Sequence, residues 1–229
     1  MTAEAKKPQR QYTNDQVSTW CPGCGNNVIK AALSQALTEL KLPPEKVVLT
    51  FDIGCISNSA DEYSTYVFKS LHGRAIPPAV GIKLANPELT VISILGDGGA
   101  YGEGIEHLIS AAKRDDDITV LVANNEIYAL TTGQTSPTTP KDKKTISYPD
   151  GSPDRPLDPI DIAVAAGATF VARGFSADQP QLVELIKKGI NHTGFALIDV
   201  LQHCITWNGV DWLAATKKTV KTGVIRERK

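Results

Sequence analysis

The 229-residue sequence has no long apolar run, and no segment approaches the roughly 20 apolar residues that crossing a bilayer requires. Its first nineteen residues are polar, carry Lys6, Lys7 and Arg10, and contain nothing like the apolar middle of a signal peptide. These absences speak against membrane insertion and secretion, and the expected location is the cytoplasm. An excess of one charge is missing too. The formal net charge is −1, and the longest single-sign clusters are short ones such as Asp115-Asp116-Asp117 and Lys217-Lys218, which leaves no nucleic-acid footprint. No internal repeat and no second domain are visible. Cysteine is scarce, with four in the chain. In a reducing compartment these are expected to be metal ligands or catalytic groups, not two disulfides.

What is present is the composition of one soluble core, 41% apolar and 21% charged. A chain of this length buries roughly 70% of its unfolded surface, so it does not need a metal merely to stay folded. Residues 1–19 read as an N-terminal arm, 20–209 as the domain and 210–229 as a C-terminal tail. From Asn27 to Leu40, apolar residues recur three or four apart, which predicts an amphipathic helix ended by Pro43-Pro44. Val47–Asp52 is a β-branched run that predicts a buried strand. The alternation continues with helix over 75–84, strand over 90–95, helix over 105–113 and strand over 118–123. After an irregular stretch, 131–159, come a helix at 160–166, a strand near Phe170, a helix over 181–190 and a strand over 195–200. Apolar strands separated by helices predict an α/β fold, a doubly wound and mostly parallel sheet of five or six strands. The irregular stretch is long enough to be functional or mobile.

Two strand ends carry unusual residues. The strand over 90–95 runs into Gly96-Asp97-Gly98-Gly99, and the next ends in Asn124-Asn125, with Ile127-Tyr128 just beyond. Both sets fall at carboxyl ends, where open α/β sheets bind ligands. Glycines admit a diphosphate close to the backbone, and the following helix offers free N–H groups. Taken singly, Gly-Asp-Gly reads as a turn and Asn-Asn as a strand-end cap; taken as a site, Asp97 and the Asn125 side-chain oxygen can supply two hard ligands to Mg²⁺, to be completed by a main-chain carbonyl and phosphate oxygens. The 28-residue separation of Asp97 and Asn125, spanning one helix and one strand, resembles the signature of thiamine-diphosphate enzymes. That resemblance implies Asp97, Asn125 and the Ile127 carbonyl as metal ligands.

Cys21-Pro22-Gly23-Cys24 is a Cys-x-x-Cys hook ahead of a helix, open to three readings: a redox pair, half of a zinc site, or two ligands of an iron–sulfur cluster. Cys55 follows one strand, in Asp52-Ile53-Gly54-Cys55, and Cys204 follows the last, so both can lie along the same sheet edge as Gly96. Together with the hook, these contexts resemble the beta subunit of 2-oxoacid:ferredoxin oxidoreductases. The resemblance extends to Leu71-His72-Gly73-Arg74-Ala75, to 81–87 and to 132–139, and covers about residues 17–209.

The resemblance implies a thiamine-diphosphate-binding fold in which Cys21, Cys24, Cys55 and Cys204 hold one [4Fe–4S] cluster near the thiamine ring. It implies that Ile53, Gly54, Cys55 and Ile56 line the thiazolium and pyrimidine side, that His72 approaches the cofactor as a catalytic group, and that Gly98, Gly99, Ala129 and Leu130 close around the diphosphate. Arg74 pairs either with a substrate or coenzyme A anion or with a structural acid. The implied reaction is oxidative decarboxylation of a 2-oxoacid with coenzyme A, with electrons passed to ferredoxin. The stretches 135–139 and 165–173 look more like the 2-oxoglutarate or broad-range branch than the pyruvate branch. The carboxylic acid that activates the aminopyrimidine belongs to a pyrimidine-binding domain, so an alpha subunit is expected as partner, in a heterodimer or dimer of heterodimers. Glu62, Glu103 and Glu106 are poor substitutes. The sequence departs from the family at Gly99 and Glu106, where relatives commonly carry Asp and Asn, and at the familiar Thr-Gly-Gly-Gln, which here is Thr132-Gly133-Gln134 preceded by Thr131. The chain stops 25 residues after Cys204, where many relatives continue. Two rival readings stand beside this one: a thiamine-dependent decarboxylase or carboligase subunit with zinc or nothing at the cysteines, and a zinc-stabilised scaffold.

Overall fold

The computed structural model describes residues 11–228; the first ten residues of the expected arm and Lys229 of the expected tail lie outside it. Strands β1 (Val47–Phe51), β2 (Tyr66–Lys69), β3 (Thr90–Gly96), β4 (Thr119–Asn124), β5 (Phe170–Phe175), β6 (Ala196–Leu201) and β7 (Gly223–Glu227) form one sheet in the order β2-β1-β3-β4-β6-β5-β7. Six strands are parallel, and β7 runs antiparallel along β5.

Alternate residues of each central strand feed two separate cores. On one face Leu49, Phe51, Ile92, Ile94, Leu121 and Ile198 pack under α1 (Asn26–Glu39) and α5 (Gln179–Asn191). On the other, Val48, Val91, Val120, Val122 and Leu197 pack under α2 (Ile76–Ala85), α3 (Ile105–Arg114) and α4 (Pro159–Ala166). Burial on both faces explains why these strands read as continuous apolar runs. Each fully buried aliphatic side chain contributes about 1.5–3 kcal/mol. The start of α4 is set locally: Pro159 fits the first helical position, and the Asp158 carboxylate accepts from Ile160 N at 2.9 Å.

The chain leaves β1 toward one edge of the sheet and β3 toward the other. That reversal creates a crevice at the carboxyl ends of β1 and β3, where open sheets place ligands. Asp52 to Cys55 and Asp97 to Gly99 both emerge there.

Four features differ from expectation. Strand β2 was not foreseen because it has only four residues, all exposed at the sheet edge. A widened, π-helical turn over Gly98–Glu103 intervenes between Gly-Asp-Gly and α3. The stretch set apart as a tail contains β7 and most of α6 (Ile205–Thr219), which is kinked at Gly209, so it continues the same sheet. Finally, the described part of the arm is anchored. Tyr12 is fully buried and its hydroxyl donates to Leu37 O at 3.0 Å, while Asn14 N donates to Glu62 O. Burial of one aromatic ring outweighs the polar composition around it.

Candidate functional site

Two adjoining cavities open at the crevice. The first, about 280 Å³, is walled by Ile53, Gly54, Cys55 and Ile56 after β1, by Gly96, Asp97, Gly98 and Gly99 after β3, and by Asn125, Ile127, Ala129 and Leu130 after β4, with His72 at its rim. Every residue expected at the thiamine and diphosphate positions therefore lies along one cleft. The second cavity, about 260 Å³, is bordered by Cys21, Cys24, Cys55 and Cys204. Asn26, Cys55, Asn125, Ala129 and Leu130 line both.

Asp97 is buried, and burial pushes its carboxyl up to about 6 against the opposing pull of the Ser136 and Thr138 hydroxyls. Thr138 Oγ1 lies 2.8 Å from Asp97 Oδ2. The Asn125 side-chain oxygen accepts from Ile127 N at 3.2 Å, and Asn208 Nδ2 fixes the Asn125 carbonyl at 2.8 Å. The glycines are dictated by contact. A side chain at Gly98 would enter the Tyr128 ring, and one at Gly99 would meet Asp52 Oδ2 at 1.8 Å. Gly99, a departure from the family pattern, is thus the residue that the Asp52 carboxylate requires beside it.

Asp52 and Tyr128 were not singled out from the sequence. Asp52 is fully buried, accepts from Ser57 Oγ at 2.9 Å and lies 3.6 Å from His72 Nδ1. The imidazole Nδ1 is closer to the Ile53 carbonyl, at 2.8 Å, so its proton goes there and Asp52 acts mainly as a neighbouring charge. His72 Nε2 pairs with Glu103 at 3.0 Å. Asp52, then the Ile53 carbonyl and Glu103, raise His72 to about 9, while its partial burial works the other way. The Tyr128 hydroxyl closes this group, 3.1 Å from both Glu103 carboxylate oxygens. Arg74 is taken up internally, by the Gly73 and Glu103 carbonyls and, at 3.9 Å, by Glu106.

The cysteine hook is pinned to the exit of β6: Gly25 N donates to His203 O at 2.9 Å, and a side chain at Gly25 would collide with Ser176 and His203. Thr206 Oγ1 reaches Cys21 Sγ at 3.2 Å, and Trp20 Nε1 reaches the Cys55 carbonyl at 2.5 Å. Burial raises Cys24 to about 11 and Cys55 to about 12, with the neighbouring thiols adding to the effect. The four cysteines border one cavity; among the described residues no three Cys, His, Asp or Glu side chains form a single-ion site. At the wall common to both cavities, Asn26 is almost completely buried and its side-chain oxygen has no partner among the described residues. Such an orphan is what a bound group would satisfy. The hard oxygens of Asp97 and Asn125, the glycine-lined cleft and the open four-cysteine cavity therefore fit Mg²⁺, thiamine diphosphate and an iron–sulfur cluster, respectively.

Residues 52–200 match the family described as thiamine pyrophosphate enzyme, C-terminal TPP binding domain, which defines the class of this fold and cleft. The 2-oxoacid:ferredoxin oxidoreductase subunit beta of Saccharolobus solfataricus is 48% identical over 193 residues, 83% of this chain and 63% of that one. The 2-oxoglutarate synthase subunit KorB of Methanocaldococcus jannaschii is 42% identical over 190 residues, 83% of this chain and 70% of that one. A solved structure, 2-oxoglutarate:ferredoxin oxidoreductase from Magnetococcus marinus with 2-oxoglutarate, coenzyme A and succinyl-CoA bound, superposes with a TM-score of 0.95 at 28% identity, over 99% of this chain and 87% of that one. This chain belongs to the family of 2-oxoacid:ferredoxin oxidoreductase beta subunits. It spans less than two thirds of the length of the Saccharolobus relative. No helix among the described residues is long and apolar enough to cross a membrane.

Proposed function

We propose that the chain is the thiamine-binding, electron-transferring subunit of a cytoplasmic enzyme that converts a 2-oxoacid and coenzyme A to acyl-CoA and CO₂, reducing two ferredoxin equivalents. The observation that carries this is the shared wall: Cys55, Asn125, Ala129 and Leu130 border both the cleft and the four-cysteine cavity. A group held in one is next to a group held in the other, as one-electron transfer requires.

Asp97, Asn125 and the Ile127 carbonyl would hold Mg²⁺, with the diphosphate lying along the cleft wall that Gly98 and Gly99 form. Ile53, Gly54, Ile56 and Leu130 supply apolar walls to the cleft. His72, carried as an imidazolium between Asp52 and Glu103, places positive charge and a proton at the rim. Cys21, Cys24, Cys55 and Cys204 hold the [4Fe–4S] cluster. Thiamine diphosphate, when bound, would supply the carbon nucleophile and electron sink that decarboxylation needs, and a cluster held by the four cysteines would supply one-electron chemistry beside it.

The zinc rivals are less well supported. Several relatives are named for ferredoxin, a one-electron acceptor that an iron–sulfur centre can serve and redox-inert zinc cannot. Among 2-oxoacids, 2-oxoglutarate is favoured, in keeping with the names of several relatives. The test is dye reduction by the assembled enzyme with its alpha subunit. Faster turnover of 2-oxoglutarate than of pyruvate is expected. A preference for pyruvate or an aryl-pyruvate would overturn the substrate assignment, and colourless protein with stoichiometric zinc would overturn the cluster.

A further inference from the structure

The irregular stretch 131–159 contains one tight turn that the proposed roles leave unused. Ser136 O accepts from Thr139 N at 3.1 Å, and Pro137 occupies the second position, where its ring presets the backbone. Each of three successive residues holds a different part of the site. The Pro137 ring packs against Gly102, where a side chain would come within 3.3 Å. Thr139 Oγ1 donates to the Glu126 carbonyl at 2.7 Å. Thr138 Oγ1, buried between them, lies 2.8 Å from Asp97 Oδ2 and 2.9 Å from Asn124 Oδ1.

Behind Thr138 the contacts continue inward. Asn124 Nδ2 donates to Asp199 Oδ1 at 3.0 Å. An ionised carboxylate only accepts, so Asp199 fixes the Asn124 amide with its oxygen toward Thr138. Asp199 is fully buried and is itself held by the Tyr101 hydroxyl at 2.8 Å and Arg173 Nε at 3.1 Å. Asn124 Oδ1 also accepts from Glu126 N at 3.3 Å, so the single Thr138 proton goes to the charged Asp97 oxygen, the stronger acceptor, and the hydroxyl is held beside it.

We propose that Thr138 is the positioning residue for Asp97, its hydroxyl fixing the carboxylate rotamer that faces the cleft. The inference rests on the assignment of Asp97 to Mg²⁺ above. Mg²⁺ demands near-ideal octahedral geometry at about 2.0–2.1 Å, so a carboxylate left to swing about two torsions binds it less well. Partners that orient a metal ligand are commonly worth about 10–100-fold in metal affinity.

The test uses the complex with its alpha subunit, stripped of cofactors, and titrates Mg²⁺ at fixed thiamine diphosphate, with cofactor binding read by tryptophan fluorescence. Thr138→Val keeps the volume and removes the hydroxyl; Thr138→Ser keeps the hydroxyl and removes the methyl. Thr138→Val is expected to need about tenfold more Mg²⁺ for half-saturation, with Thr138→Ser close to the wild type and the cofactor-free melting temperatures of the two variants alike. Equal Mg²⁺ requirement in wild type and Thr138→Val, or equal impairment of Val and Ser variants, would overturn the inference. Thr138→Ala is carried alongside; if neither hydroxyl-free variant folds, the hydroxyl is structural and the inference fails. Wild-type binding that ignores Mg²⁺ would instead overturn the Asp97 assignment, and the inference with it.

Discussion

Arg173 and Asp199 stand opposite each other in the parallel register of β5 and β6, with Arg173 Nε donating to Asp199 Oδ2 at 3.1 Å. Asp199 is fully buried; burial raises its carboxyl and Arg173 is the leading influence that holds it down. Breaking a buried pair by removing one partner costs about 3–5 kcal/mol, because a desolvated charge is left behind. Arg173 is only partly buried, so the low end applies: Arg173→Met is expected to lose about 3 kcal/mol in urea denaturation. Adding Asp199→Asn should recover part of that loss. A wild-type midpoint for Arg173→Met would show that Tyr101 and Asn124 suffice.

His72 gives the fold a pH dependence. Its folded pKa is raised to about 9 by Asp52, the Ile53 carbonyl and Glu103, against about 6.5 in an unfolded chain. A raised histidine contributes stability that is complete below the unfolded value and disappears as the pH rises through the folded one. The stability difference between wild type and His72→Gln should therefore be largest at pH 6, smaller at pH 8 and gone by about pH 10. The ring is partly exposed, so salt should shrink the difference. A difference that stays constant across this range would mean that the ring is neutral and its contribution is packing alone.

The sequence was most legible where burial is two-sided. Val47–Phe51, Thr90–Gly96 and Thr119–Asn124 lie between two helical layers, so their apolar runs had no competing explanation. Their carboxyl ends then brought Asp97, Asn125 and Cys55 to one crevice. Strand β2 escaped because an exposed edge strand imposes no pattern, and Tyr66 and Phe68 there resemble loop aromatics. Asp52 was passed over because nothing local distinguishes a buried acid from a strand-end cap; its meaning depends on Gly99 and His72, 47 and 20 residues away. Thr138 lay within a run that marked the family, yet its partners Asp97 and Asn124 are reached only through the folded turn.

The two sites should come apart under mutation. Cys21→Ser or Cys204→Ser is expected to lose iron and the broad absorption near about 400 nm of a [4Fe–4S] centre, while circular dichroism stays close to that of the wild type. The reason is that both cores are built from strands and helices that do not include the hook. Asp97→Ala should lose Mg²⁺ and thiamine diphosphate but keep the brown colour. Global unfolding of either cysteine variant would show that the cluster also supports the fold, and unaltered cofactor affinity in Asp97→Ala would remove the metal-site assignment.

The isolated chain, loaded with both cofactors, is expected not to turn over a 2-oxoacid. Activation of thiamine requires a carboxylic acid bonded to the aminopyrimidine ring, and among the described residues lining the cleft Asp97 is the only carboxylate, already assigned to the metal. Glu103 lies nearby, but its oxygens are engaged by His72 and Tyr128. Glu62 is buried elsewhere against Lys30, and Glu106 is exposed on α3 beside Arg74 and His107. The single sheet has both faces covered, so the described chain leaves no second domain to supply the acid. The cleft is instead open toward exposed Ile53 and Leu130 and half-buried His72, the side from which a partner's pyrimidine-binding domain would reach the cofactor. The measurement is 2-oxoacid-dependent CO₂ release and dye reduction by the chain alone, then with the alpha subunit added. A rise from background to full turnover on addition is the expected result. Activity of the isolated chain equal to that of the complex would mean that a carboxylate of this chain, Glu103 first, swings into the cleft, and that the division between the two subunits lies elsewhere.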